Sequence, residues 1–249
     1  MSDLVEVTGM VIASMPVGEY DRRIVLLTKE RGKIAAFAKG ARRPNSQLMS
    51  VTRAFVFGKF QLYEGRTSYN IKQAEISNYF EEVITDLDAV CYACYFAELA
   101  EYYARENLDA SQMINLLYAS LKALVNNNIP DELIRYIYEL RLIWINGECP
   151  EFFKCRYCGE HDKLTVFSMN HFAVYCEECL KYMGHQITDA VHLDETTFYT
   201  IQYIIATPIA KLFTFVVSDE VLAQLRMVAG RIRAVTFDKK MKSEQMLPV

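Results

Sequence analysis

The chain has 249 residues, 52% of them hydrophobic and 23% charged, which is ordinary globular composition. Its longest unbroken apolar run, Ala89 to Ala97, is too short to span a membrane, so a membrane role is not expected. The net charge of −4 hides an asymmetry: residues 1–80 carry 12 Lys/Arg against 7 Asp/Glu, residues 81–150 carry 4 against 12, and the remainder 11 against 12. A polyanion therefore suits the first third and is repelled by the middle third.

In chain order, Val5, Val7, Gly9 and Val11 alternate with Glu6, Thr8 and Met10, which predicts a half-buried strand. A polar loop over 16–21 leads into a strand at Arg22–Thr28, and a Lys29–Gly32 turn joins it to Lys33–Lys39. Strands are expected again over Val51–Glu64 and Ser68–Ile76, joined at Gly65. Five strands with regular turn signals predict a small closed antiparallel barrel. An SH3-like barrel fits that count nearly as well, but the long 40–50 connection favours an OB-fold with its inserted element.

From about Leu87 the period becomes helical. Met113, Leu116, Leu117, Ser120, Leu121 and Leu124 share one helix face, and Leu133, Ile137, Leu140 and Trp144 another. Asn126–Asp131 separates the two as a stop and a new N-cap. Further helices are expected from Asp194-Glu195 to about Thr207-Pro208 and from Asp219 onward.

Between these helices lie Cys155-x2-Cys158 and Cys176-x2-Cys179, seventeen residues apart, a spacing that reads as a structural zinc site. Four thiolates complete a tetrahedron and leave no open position for substrate, so one structural Zn2+ is the expected cofactor. The opening MSDLVEV has no basic and apolar leader, so reduced thiols in the cytoplasm are expected and disulfides are disfavoured. His161 and His171 are expected to be polar residues of a hairpin with arms Thr165–Ser168 and Phe172–Tyr175, while His185 and His192 flank the segment. Cys91 and Cys94 are expected as helical core residues. The fold class is thus α+β and multidomain. An OB-fold β-barrel spans 1–79. A helical bundle domain in two parts, 80–150 and 187–238, is interrupted by a four-cysteine zinc-binding segment at 151–186, and 239–249 forms a flexible tail.

No phosphate loop, nucleophile elbow or H-E-x-x-H helix occurs, so neither an enzyme nor a small-molecule substrate is expected. The informative constellation is basic: Arg22, Arg23, Lys29, Arg31, Lys33, Lys39, Arg42 and Arg43, with only Glu30 between them. On an OB-fold, strands two and three form the usual groove for oligonucleotides, which makes these eight the candidate DNA-binding residues.

Gly18-Glu19-x-Asp21, Leu27-Thr28-x3-Gly32-Lys33 and Ala38-Lys39-Gly40-Ala41-Arg42-Arg43-x2-Ser46 resemble the start of the bacterial RecO family, and the helical region with its inserted cysteines extends the resemblance over the whole chain. The resemblance implies a cytoplasmic, nucleoid-associated recombination mediator that binds single- and double-stranded DNA and anneals complementary strands. It also implies that the chain acts with RecR to load RecA on DNA coated by single-strand-binding protein, whose acidic C-terminal tail docks on the helical domain. DNA contact carries over most directly to Lys39, Arg42 and Arg43. Two other readings of the residues are a protein–protein adaptor with only incidental DNA binding and a thiol-redox protein using the cysteine pairs.

Overall fold

Strand alternation in the N-terminal third produces a closed five-stranded barrel. A computed structural model describes residues 3–183 and 187–248; His185 and the end of the predicted 151–186 segment lie outside the described residues. β1 (Leu4–Val17), β2 (Asp21–Thr28) and β3 (Gly32–Ala38) form a meander, followed by α1 (Leu48–Val51), β4 (Phe57–Glu64) and β5 (Tyr69–Asn78). The barrel closes in the order β1-β2-β3-β5-β4, with β4 antiparallel to β1 and β3 parallel to β5. This order, with a helix between β3 and β4, is an OB-like arrangement. β1 runs into the start of the segment expected as a polar loop, because Pro16 and Val17 stay paired with β2. A bulge between Val11 and Ala13 bends it so that one strand can serve two neighbours. The strand expected from Val51 begins only at Phe57, since Leu48–Val51 is a helical turn and Phe55 has φ 67°. Val7, Ile24, Leu26, Ile34, Phe60 and Leu62 fill the interior.

By packing the chain forms two compact units, Met1–Asn126 with Met241–Val249, and Asn127–Lys240. The packing boundary therefore differs from the change of periodicity near residue 80. α2 (Glu81–Thr85), α3 (Leu87–Tyr103) and α4 (Ser111–Asn126) belong with the barrel. Asp86 caps α3 by accepting from the Ala89 amide at 3.0 Å. α4 buries the predicted face, Met113, Leu116, Leu117, Ser120, Leu121 and Leu124. The α3–α4 connection docks on the β2–β3 turn. Lys33 N–H donates to Arg105 O at 3.2 Å, Asn107 N–H to Arg31 O at 2.9 Å and Ala110 N–H to Lys29 O at 3.2 Å.

Residues 239–249, expected as a free tail, are held over their described part. Met241 is buried, and the Lys242 and Ser243 amides donate to the Glu98 carboxylate at 3.0 and 2.8 Å. An apolar anchor beside a well-placed acceptor outweighs the polar composition that suggested disorder.

In the second unit, α5 (Asp131–Ile145) precedes β6 (Leu164–Ser168), β7 (Ala173–Cys176), α6 (Glu177–Met183), β8 (Val191–His192), α7 (Glu195–Ala206) and α8 (Asp219–Thr236). The strands form a small sheet of order β7-β6-β8. Phe152 stacks on Phe167 at 5.5 Å and meets Phe198 of α7 edge-on, and its carbonyl accepts from Gln202 at 2.8 Å. The cysteine segment is therefore built into the helical core. Glu139 on α5 is fully buried, with Arg135 at 2.8 Å and Arg233 of α8 at 3.5 Å supplying the opposite charge that a buried carboxylate needs.

The turn at Gly32 leaves no room for a side chain. Its φ is +60°, and an added Cβ would lie 2.0 Å from Arg105 O. Gly32→Ala is expected to lower unfolding stability by about 2–4 kcal/mol in urea titration. Gly18→Ala, with φ +55° but open space around it, should cost only about 1 kcal/mol. Equal losses at the two sites would contradict the close approach.

Candidate metal centre and nucleic-acid interface

The four sulfurs converge. The Sγ atoms of Cys155, Cys158, Cys176 and Cys179 all lie within 4.8 Å of one another, and they are the one such ligand cluster among the described residues. Cys155 and Cys158 sit on a turn closed by Gly159 N–H donating to Cys155 O at 2.9 Å, while Cys155 N–H donates to Glu160 O at 2.7 Å. The second pair is placed differently: Cys176 ends β7 and Cys179 lies in the first turn of α6. Arg156 N–H donates to Val174 O at 3.0 Å, which ties β7 to the turn that carries the first pair. Cys158 Sγ and Cys176 Sγ are 3.7 Å apart. That is well beyond a disulfide bond of about 2.05 Å. It matches the edge of a tetrahedron, roughly 3.8 Å, whose corners lie about 2.3 Å from a metal.

Charge makes the same demand. Burial and the neighbouring sulfurs push the Cys179 thiol up, and burial pushes Cys176 up. Burial also opposes ionisation of Cys155, but the amides of Cys158, Cys176 and Tyr157, with the Cys158 thiol, bring it below the usual thiol range. Burial thus opposes the thiolate forms of Cys176 and Cys179, and a dication at the centre of the cluster would offset that cost. The donor set therefore fits one tetrahedral metal. The histidines take other partners: His161 Nδ1 lies 2.7 Å from Phe153 O, and His171 Nδ1 lies 2.8 Å from the Tyr175 hydroxyl.

The eight cations separate into two groups. Arg22 and Lys29 stand at opposite ends of β2, roughly 20 Å apart at about 3.3 Å per residue. At the β2–β3 turn the side chains of Arg31 and Lys33 serve the fold. Arg31 bonds the Glu64 carboxylate at 2.9 Å and the Tyr69 hydroxyl at 3.0 Å, and these two partners raise its pKa further. Lys33 Nζ donates to Glu101 O at 2.8 Å near the end of α3, and Lys29 is half-buried beside its main-chain bond from Ala110.

The other end carries Arg22, Arg23, Lys39, Arg42 and Arg43. Ala41 is fully buried, so the two arginines after it are forced outward and are exposed. The loop is tied to the β1–β2 turn. Arg42 N–H donates to Tyr20 O at 2.8 Å, Gly40 N–H donates to Asp21 Oδ1 at 2.7 Å, and the Arg43 guanidinium lies 5.2 Å from the centre of the Tyr20 ring. A loop held in this way presents its guanidiniums with little ordering cost on binding. Sequence reading missed Arg53, which lines one cleft with Arg22 and Arg42. Its isolation on the α1–β4 connection gave no local signal. Cys94, expected in the core, also reaches that cleft.

The chain matches family models described as "Recombination protein O N terminal" over residues 1–80 and "Recombination protein O C terminal" over residues 84–245. Curated relatives named "DNA repair protein RecO" align along nearly its whole length. One from Acetivibrio thermocellus is 30% identical over 93% of this chain and 91% of its own. One from Clostridium perfringens strain 13 is 27% identical over 98% and 97%, and one from Thermoanaerobacter sp. 28% over 98% and 97%.

If the sulfur cluster binds one metal ion per chain, Cys179→Ser should remove most of the bound metal and lower the melting temperature by about 5 °C or more. Cys149→Ser, outside the cluster, should leave metal content unchanged. Native mass spectrometry and calorimetry read the two quantities, and wild-type protein that stays metal-free with zinc supplied would refute the assignment.

Proposed function

The chain belongs to the RecO family, and from that premise we propose that it is a DNA-binding recombination mediator in DNA repair that anneals complementary strands and helps load RecA on DNA coated by single-strand-binding protein. The observation that carries this reading is the cationic loop end of the barrel, where buried Ala41 turns Arg42 and Arg43 to solvent beside Arg22, Arg23 and Lys39. Two strands repel each other through their phosphates. A surface that binds both releases their counterions and lowers that repulsion without an active site. The cations at this end would hold phosphates, while Lys29, Arg31 and Lys33 support the barrel against the α3–α4 connection. We assign the four-cysteine centre one Zn2+, which would brace the second unit and take no part in chemistry. RecR and the acidic tail of single-strand-binding protein are the proposed protein partners, and the cytoplasm the proposed site of action. The role proposed is non-enzymatic.

Arg42→Ala combined with Arg43→Ala should weaken binding to DNA of any sequence and slow annealing of complementary oligonucleotides. The log–log salt slope on single strands should fall by about 0.7 for each phosphate that is no longer neutralised. An unchanged slope with unimpaired annealing would remove this loop from the DNA interface.

A further inference from the structure

Beside the exposed loop lies a cleft of about 460 Å3 that contains three arginines, Arg22, Arg42 and Arg53, over an apolar floor that includes Pro16, Phe55 and Val90. Its volume falls within the roughly 300–1,000 Å3 of small-ligand sites. Arg22 and Arg42 are oriented mainly by main-chain oxygens, whereas Arg53 is held more loosely. Arg22 donates to Thr52 O and Oγ1 at 3.5 and 3.4 Å, and Arg42 donates to Gly18 O at 3.3 Å. Arg53 meets the Glu81 carboxylate at 3.7 Å, in a pair that is largely exposed and weakly coupled. Asp21 is engaged by the Gly40 amide. Positive charge in the cleft is therefore only weakly offset, in contrast to the close Arg31–Glu64 pair at the far end of the hairpin.

The backbone holds the floor in place at the cost of local strain. Phe55 adopts φ 67°, a conformation disfavoured for a bulky residue, while its N–H donates to Val11 O at 2.8 Å and Val11 N–H donates to Val56 O at 3.0 Å. These bonds clamp the Thr52–Val56 segment across β1 beside its bulge, which sets Arg53 facing the same cleft as Arg22. Strain of this kind persists where the surrounding structure fixes a particular shape.

We infer that this cleft takes one unstacked nucleotide of single-stranded DNA, its phosphate held by Arg22, Arg42 and Arg53 and its base against the Pro16–Phe55–Val90 floor. The inference rests on the DNA-binding reading above and adds to it a basis for strand preference. Planar guanidiniums match phosphate oxygens in forked geometry, and an apolar floor suits the faces of any base. A duplex keeps its bases stacked and paired, so it meets the exposed loop arginines but cannot fill the cleft. Arg53 and Val90 then distinguish single from double strands, whereas Arg43 does not.

The test uses the full chain, fluorescently labelled oligo-dT and a blunt duplex of the same length. Arg53→Ala and, separately, Val90→Trp, which fills the floor, should each weaken oligo-dT binding about tenfold and change duplex binding less than about twofold. Retained duplex binding shows that each variant is folded. The single-strand salt slope should fall by about 0.7 in Arg53→Ala and stay constant in Val90→Trp, because only the first removes a cation that holds a phosphate. Photocrosslinking of iodouracil-substituted oligo-dT should label peptides lining the cleft. Equal weakening on both probes, or none on either, would overturn the cleft assignment and leave the loop interface standing. Protection of the cleft by an acidic peptide, with no crosslink to the oligonucleotide, would give the cleft to a protein partner and likewise overturn it. Wild-type protein that binds neither probe would overturn this inference together with the DNA-binding reading.

Discussion

Three main-chain hydrogen bonds between residues 29–33 and the connection at 105–110 fix the β2–β3 turn, and the distribution of charge along the hairpin follows from them. With that end covered, Gly32 has room for no side chain beside Arg105 O. Lys33 reaches the last turn of α3, and Arg31 turns back to Glu64 and Tyr69. Arg31 and Lys33 are thereby committed to the fold, while Lys29 takes part through its main-chain carbonyl. The cations at the other end meet main-chain oxygens and a tyrosine ring, partners that orient a guanidinium without neutralising it. One hairpin thus has a structural end and an end with positive charge to offer.

The second unit turns on a different constraint. Its small three-stranded sheet could not bury enough surface by itself, so Phe152 and Phe167 carry it onto α7 through Phe198, and the sulfur cluster closes the remaining edge. Cys176 belongs to a strand and Cys179 to a helix, so a metal held there would tie both elements to the turn at Cys155–Gly159. Burial opposes ionisation of Cys176 and Cys179, a cost that a bound cation would offset. The segment is nearly balanced in charge, with Lys154, Arg156, Lys163 and Lys181 against Glu151, Glu160, Asp162, Glu177 and Glu178. Such a balance suits a brace better than a surface for phosphates.

Much of this architecture was legible residue by residue. Alternation at Val5–Val11 and the 3.6 periodicity of Met113–Leu124 record which faces meet a core, because burial selects apolar side chains at the period of the element. The paired cysteine spacing predicted convergence of the sulfurs, since a pair two residues apart can reach a single ion. Other features were hidden for physical reasons. Pro16 and Val17 look like a loop, yet strand pairing holds them. Residues 239–249 look like a tail, yet Met241 and the Glu98 carboxylate anchor them. Helices α3 and α4 are distinguished from the barrel by their period and joined to it by packing that no local window contains.

The sequence by itself determined the kinds of element, the identity of the converging cysteines and the presence of excess cation in the first third, all of which depend on residue type and spacing within a short stretch. Tertiary structure alone decided which of those cations remain available. Eight cations in twenty-two residues read as one stripe, but a strand separates its ends, and partners from Glu64, Glu101 and the α3–α4 connection engage one end only. It also brought Arg53 from the α1–β4 connection to Arg22 and Arg42. Whether a charge is offset depends on the groups that folding places within a few ångströms of it, and those groups come from distant parts of the chain.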